Sequence, residues 1–134
     1  MRNETVGDAG GRRVILMDSI SLIAESDAGA VIISGSHGGT ISGAFAALHP
    51  PALVIFNDAG GGKANAGRAA IAYLNERGIA CATASHLTAR IGDAEDAWRH
   101  GTLSDVGELA RRDGLAAGQT VADAVERFAA SQTG

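Results

Sequence analysis

The stretch Ala30-Val31-Ile32-Ile33-Ser34-Gly35-Ser36-His37-Gly38-Gly39-Thr40 decides the fold. Residues 30–34 are a short run dominated by β-branched side chains, without the polar alternation of a strand that has one wet face. A strand buried on both faces is therefore predicted. Three glycines, an imidazole and two hydroxyls follow at once. From Thr40 to Leu48 the spacing of Ala44, Phe45, Ala47 and Leu48 predicts a helix of about two turns. His49-Pro50-Pro51 stops it, because a residue before proline is pushed out of the α region. A buried strand running through glycines into a helix is the unit of parallel α/β sheets, and its loop is where such sheets gather ligands.

The unit recurs downstream. Ala52-Leu53-Val54-Ile55-Phe56 is a second buried strand and ends in Asn57-Asp58-Ala59-Gly60-Gly61-Gly62-Lys63. Ala66, Ala69, Ala70, Tyr73 and Leu74 then trace one side of a helix from Lys63 to Arg77, with Gly78 where a left-handed cap belongs. Ile79 to Ala84 is a further strand, followed by Ser85-His86-Leu87-Thr88-Ala89-Arg90-Ile91-Gly92-Asp93. After a polar segment holding Trp98 and His100, Ser104 caps a helix that runs through Arg112 to Gly114. Thr120 and Asp123 have capping-box-like spacing ahead of a terminal helix with Val121, Ala124, Val125 and Phe128 on its apolar stripe.

Upstream, Val14-Ile15-Leu16-Met17 reads as a first strand leading to a short helix with Ile20, Leu22, Ile23 and Ala24. Residues 1–12, with Gly7, Gly10 and Gly11, read as a flexible leader, and 13–134 as a single domain. Strand and helix alternate as in a parallel sheet with right-handed crossovers. The expected class is α/β: a three-layer, Rossmann-like open parallel sheet of about three to four strands with helices on both faces.

Composition narrows the function. Of 134 residues, 46% are hydrophobic but only 4% aromatic, and 19 are glycine, so packing must rest on close backbone approach. A net charge of -4 and the lack of a basic cluster interleaved with aromatics argue against nucleic acid as a partner. No apolar run approaches the roughly 18 residues of a membrane span. Cys81 is the only cysteine and lies in an apolar run, which excludes an internal disulfide and a thiol-based zinc site and reads as a buried, inert thiol. A cytoplasmic protein is expected. A small sheet with Ala- and Gly-rich helices leaves apolar faces to cover, so a homo-oligomer is expected too.

In a parallel sheet the loops after Ser34, Phe56 and Ala84 leave one common edge, the carboxyl edge. They hold nearly all the chemistry-bearing side chains, whereas Ser26-Asp27-Ala28-Gly29, His49-Pro50-Pro51 and Glu76-Arg77-Gly78 at the other edge read as ordinary turns. Gly35, Gly38 and Gly39, and likewise Gly60, Gly61 and Gly62, can aim backbone N–H groups at an anion, with a helix start behind them; tight turns are the other use of such glycines. Ser36, Thr40, Asn57 and Ser85 add polar contacts, or cap helices. Lys63 and Arg90 would neutralise a carboxylate or phosphate, or else are solvated surface groups, with pairing to Asp93 or Asp58 a third use for Arg90; His86 is a further candidate binding residue in the same loops.

His37 at a strand tip suits a general acid or base, and Asp58 either orients it or acts as the base itself; a backbone-bonded turn histidine and a helix N-cap carboxylate are the alternatives. Neither glycine loop has Walker or dinucleotide spacing, and no helical ligand pair marks a metal, so no cofactor is expected. The runs ending in Ser36-His37-Gly38 and Asn57-Asp58-Ala59 resemble the His-Gly and Ala-Cys blocks of the caspase and gingipain clan of cysteine peptidases. Where that clan places its nucleophilic cysteine this chain has Gly60, so the resemblance implies a histidine and an acceptor on adjacent strand tips but no thiol mechanism. The reading is a hydrolase, lyase or isomerase acting on a small anionic molecule. A binding module for an anionic metabolite and an accessory subunit are the rivals.

Overall fold

The computed structural model describes residues 2–60 and 63–133, excluding the side chains of 63–65 and 133. Its core is one six-stranded sheet: β1 Asn3–Ala9, β2 Arg12–Met17, β3 Val31–His37, β4 Leu53–Asn57, β5 Ala80–Ala84 and β6 Leu103–Val106. The strands lie side by side in sequence order. β2, β3, β4 and β5 are mutually parallel, with Val31 beside Leu53 and Leu53 beside Ala80, while β1 and β6 close the edges antiparallel. The fold is thus α/β with a mostly parallel sheet, as the buried runs predicted, but with six strands in place of three to four.

Sequential order has a direct consequence for the helices. Every crossover from β2 to β5 advances the same way, so right-handed connections must all fall on one face. That face carries Ile15, Met17, Ile32, Val54, Phe56 and Cys81, which pack with Ala46 of α1 (Thr40–Leu48) and with Ala70 and Leu74 of α2 (Ala69–Asn75). The alternate side chains of the same strands, among them Val14, Leu16, Val31, Ile33, Leu53 and Ile55, cluster with residues supplied after β5. These are Ala94 and Ala97 of α3 (Ala94–His100), Ala110 of α4 (Glu108–Arg112), and Val121, Val125 and Phe128 of α5 (Val121–Thr133). Thr120 caps α5 as its spacing predicts, its hydroxyl accepting the Asp123 N–H at 3.1 Å.

Four elements depart from the sequence reading. Residues 3–9 are not a leader but β1, because Gly10 and Gly11, with φ of 60° and 86°, make the two-residue turn of a hairpin onto β2. The polar segment around Trp98 is α3, capped by the Asp93 side chain on the Asp96 N–H. The helix predicted from Ser104 divides: Ser104 lies in edge strand β6, and α4 begins only at Glu108. Similarly, the helix expected from Lys63 starts as a 3-10 segment, Lys63–Arg68, before α2. Among the described residues no helix is long and apolar enough to cross a membrane.

Candidate functional site

Asp58 directly follows β4 and is 2% exposed. Its Oδ1 accepts the Gly60 N–H at 2.8 Å, the His86 N–H at 3.1 Å and His86 Nδ1 at 3.2 Å, and its Oδ2 lies 3.4 Å from Arg68 Nη2. Burial pushes this carboxyl up, but hydrogen bonds from Ser104, from the Gly60 and His86 N–H groups and from the His86 ring outweigh it and hold Asp58 below its ordinary value. An ionised carboxylate can only accept, so His86 Nδ1 carries the proton and a neutral ring has its Nε2 lone pair available. The His86 side chain is 46% exposed.

The loop is shaped for this contact. Gly60 (φ 75°) and Ala59 (φ 51°) are both left-handed, and Ala59 is the one non-glycine residue in that region among those described. The Ala59 N–H is held by Asn57 Oδ1 at 2.8 Å, while Asn57 Nδ2 donates to the Ala89 carbonyl at 2.9 Å. Asn57 is therefore the clasp between the loops after β4 and β5. Arg68 spans Asp58 and an ion pair to Asp105 of β6, and Ser104 beside it bonds Thr83 of β5 at 2.9 Å.

The pairing expected between His37 and Asp58 is replaced by His86 with Asp58. His37, the last residue of β3, is exposed and makes no hydrogen bond through its ring among the described residues; its Nε2 would lie 2.8 Å from a β-carbon on Gly39. Gly35 is not a ligand-facing residue, since a β-carbon there would meet Gly92 and Asp93 backbone at 2.5 Å and the Asp18 carbonyl at 2.8 Å. The Gly38 N–H is used by the Asn57 carbonyl and the Gly39 N–H by the His37 carbonyl, so neither is offered to an anion. Gly38 has no side chain because the Gly67 carbonyl would stand 2.4 Å from its β-carbon.

The remaining residues divide by role. The Ser36 hydroxyl accepts the Ile20 N–H at 3.0 Å and ties β3 to the segment after β2, and the Ser85 hydroxyl accepts the Leu87 N–H at 3.2 Å within a turn. Thr40 is exposed at the start of α1, whose N-cap, Gly39, has no side chain to cap the first turn. Arg90 is exposed and uses its backbone N–H on Asp96. Gly61, Gly62 and the Lys63 side chain lie outside the described residues.

Sequence reasoning passed over Arg68, Asp105 and Thr83 and took Ser104 for a helix cap. Reading Leu103-Ser104-Asp105-Val106 as a strand with apolar ends would have placed the middle pair beside β5. Cys81 is buried with its thiol pushed up by burial, away from the position a cysteine peptidase would need. Among the described residues no group of three or more His, Cys, Asp or Glu could hold a metal ion. The chain matches no protein-family model, no curated protein and no solved structure.

Proposed function

We propose that this chain is an acid–base enzyme of hydrolase, lyase or isomerase type, acting on a small carboxylate or phosphate at the carboxyl edge of a three-layer, Rossmann-like domain. Asp58 holds the His86 ring, and His86 Nε2 moves the proton. The observation that carries this reading is the 3.2 Å contact between the Asp58 carboxylate and Nδ1 of the half-exposed His86 side chain. His37, Arg90 and the uncapped first turn of α1 lie on loops of the same edge and supply positive or N–H character for an anion.

A panel of nitrophenyl carboxylate and phosphate esters, together with deuterium exchange at carbons beside a carboxylate, gives the starting activity. His86→Gln should then lower kcat about 10²- to 10⁴-fold with a smaller change in KM. Unchanged kcat in His86→Gln refutes the assignment, and binding without turnover across the panel points to the binding-module rival. The same reading makes the chain a homo-oligomer. Ile41, Phe45 and Leu48 support it, being 74%, 36% and 66% exposed at helical spacing on α1. Sedimentation velocity tests that part.

A further inference from the structure

At the opposite, amino edge of the parallel strands lies a cavity of about 250 Å³ whose walls are unlike a turn. Ala52, Ala80, Leu109 and Phe128 give it an apolar floor, and Arg12 and Arg112 border it. Arg12 opens β2 and its guanidinium is held in place: Nη1 donates to the Gly29 carbonyl at 3.0 Å and Nε to Gln132 Oε1 at 3.2 Å. Both acceptors are neutral. Among the described residues Arg12 makes no ion pair, in a side chain that is only partly exposed. Arg112, by contrast, is engaged with Glu108 at 2.8 Å.

A guanidinium fixed through Nε and one Nη1 N–H keeps its remaining N–H groups, those on Nη2 among them, for a charge-assisted bond to a carboxylate oxygen. The cavity exceeds the roughly 150 Å³ that encloses benzene, so it has room for an apolar body of about benzoate or hexanoate size. Asp113 borders the same cavity and would oppose a second negative charge. We propose that this amino-edge cavity is a binding site for a small monocarboxylate with an apolar body, its carboxylate on Arg12 and its body on Leu109 and Phe128. The proposal is independent of the chemistry assigned to the carboxyl edge.

The test is a titration of the ¹⁵N-labelled protein with benzoate, benzamide and inorganic phosphate. Benzoate should give saturable shifts at Arg12, Gly29, Leu109 and Phe128, and benzamide and phosphate should bind at least about tenfold more weakly, the loss expected for one charged hydrogen-bonded pair. Arg12→Gln should lose the benzoate shifts, and Arg12→Lys should retain part of them. Equal binding of benzamide and benzoate by the wild-type protein overturns the proposal, as does benzoate binding that survives in Arg12→Gln. Shifts centred on His37 and His86, or no saturable shift, overturn it equally; the wild-type comparison stands even if the Arg12 variants fail to fold.

Discussion

Gly35→Ala tests a close backbone approach between β3 and the segment that leads into α3. A β-carbon at Gly35 would lie 2.5 Å from the backbone of Gly92 and Asp93 and 2.8 Å from the Asp18 carbonyl, against ordinary contacts beginning at 3.4 Å. Two segments must therefore retreat by up to about 0.9 Å, and neither is a flexible side-chain end. Overpacking of this kind costs about 1–3 kcal/mol. The 2.7 Å hydrogen bond from the Gly92 N–H to the Gly35 carbonyl lies across the same gap. Its loss adds about 1 kcal/mol. The expected destabilisation is about 2–4 kcal/mol, or a fall in Tm of roughly 8–15 °C for a domain of this size. Urea unfolding followed by circular dichroism, with a calorimetric scan, measures both. Gly7→Ala is the control, because nothing lies within 4 Å of a β-carbon there and its stability should stay within about 0.5 kcal/mol of wild type. A Gly35→Ala protein as stable as Gly7→Ala refutes the packing argument. It would return Gly35 to the anion-binding role its sequence suggests.

Two further outcomes follow from buried groups. Asp58→Asn should cost about 2–4 kcal/mol near neutral pH, since it breaks a buried, charge-assisted cluster. Because the folded-state value of Asp58 is lowered, its contribution is fully present above the unfolded carboxyl value of about 3.9 and is lost as pH falls through the lowered one. Urea midpoints of wild type and Asp58→Asn should therefore converge below about pH 4, and curves that stay parallel would contradict the ionised cluster. Cys81 is buried with its thiol pushed up, so Ellman's reagent should react only at the rate of unfolding; a fast stoichiometric burst in native buffer would show the thiol to be accessible.

The parallel core was legible because its strands are continuous apolar runs, marked a second time after β3 and β4 by glycines. Helix α1 was legible to the residue, bounded by Gly39 and by His49-Pro50. The edges were not. β1 has an almost wholly exposed surface, Asn3 to Asp8, so no buried pattern distinguishes it from a frayed end, and only the Gly10-Gly11 pair marks the hairpin. β6 is four residues long and owes its conformation to pairing with β5, a tertiary cause that leaves no period in the sequence. The same asymmetry governs the site. Convergence of Asp58 and His86 followed from parallel strands, but which histidine meets Asp58 depends on the path of the loop after β5, and residue types alone left His37 as the better-placed candidate.

That path follows from strand order. With no reversal among β2 to β5, the sheet has no crevice at a topological switch point of the kind that usually locates ligands in open α/β folds. The crossovers on one face leave the other face to be covered by what comes after β5, so the chain must cross the carboxyl edge. It does so in residues 85–93. Ala89 receives the Asn57 amide above β4, and the Gly92 N–H reaches the Gly35 carbonyl of β3 before α3 packs over β3 and β2. This traverse lays His86 on Asp58 at its first step. Gly35, which looked like part of an anion cradle, is what lets it lie so close to the tip of β3. The carboxyl-edge cluster is thus a product of one crossing, and Asn57 and Gly35 set its geometry.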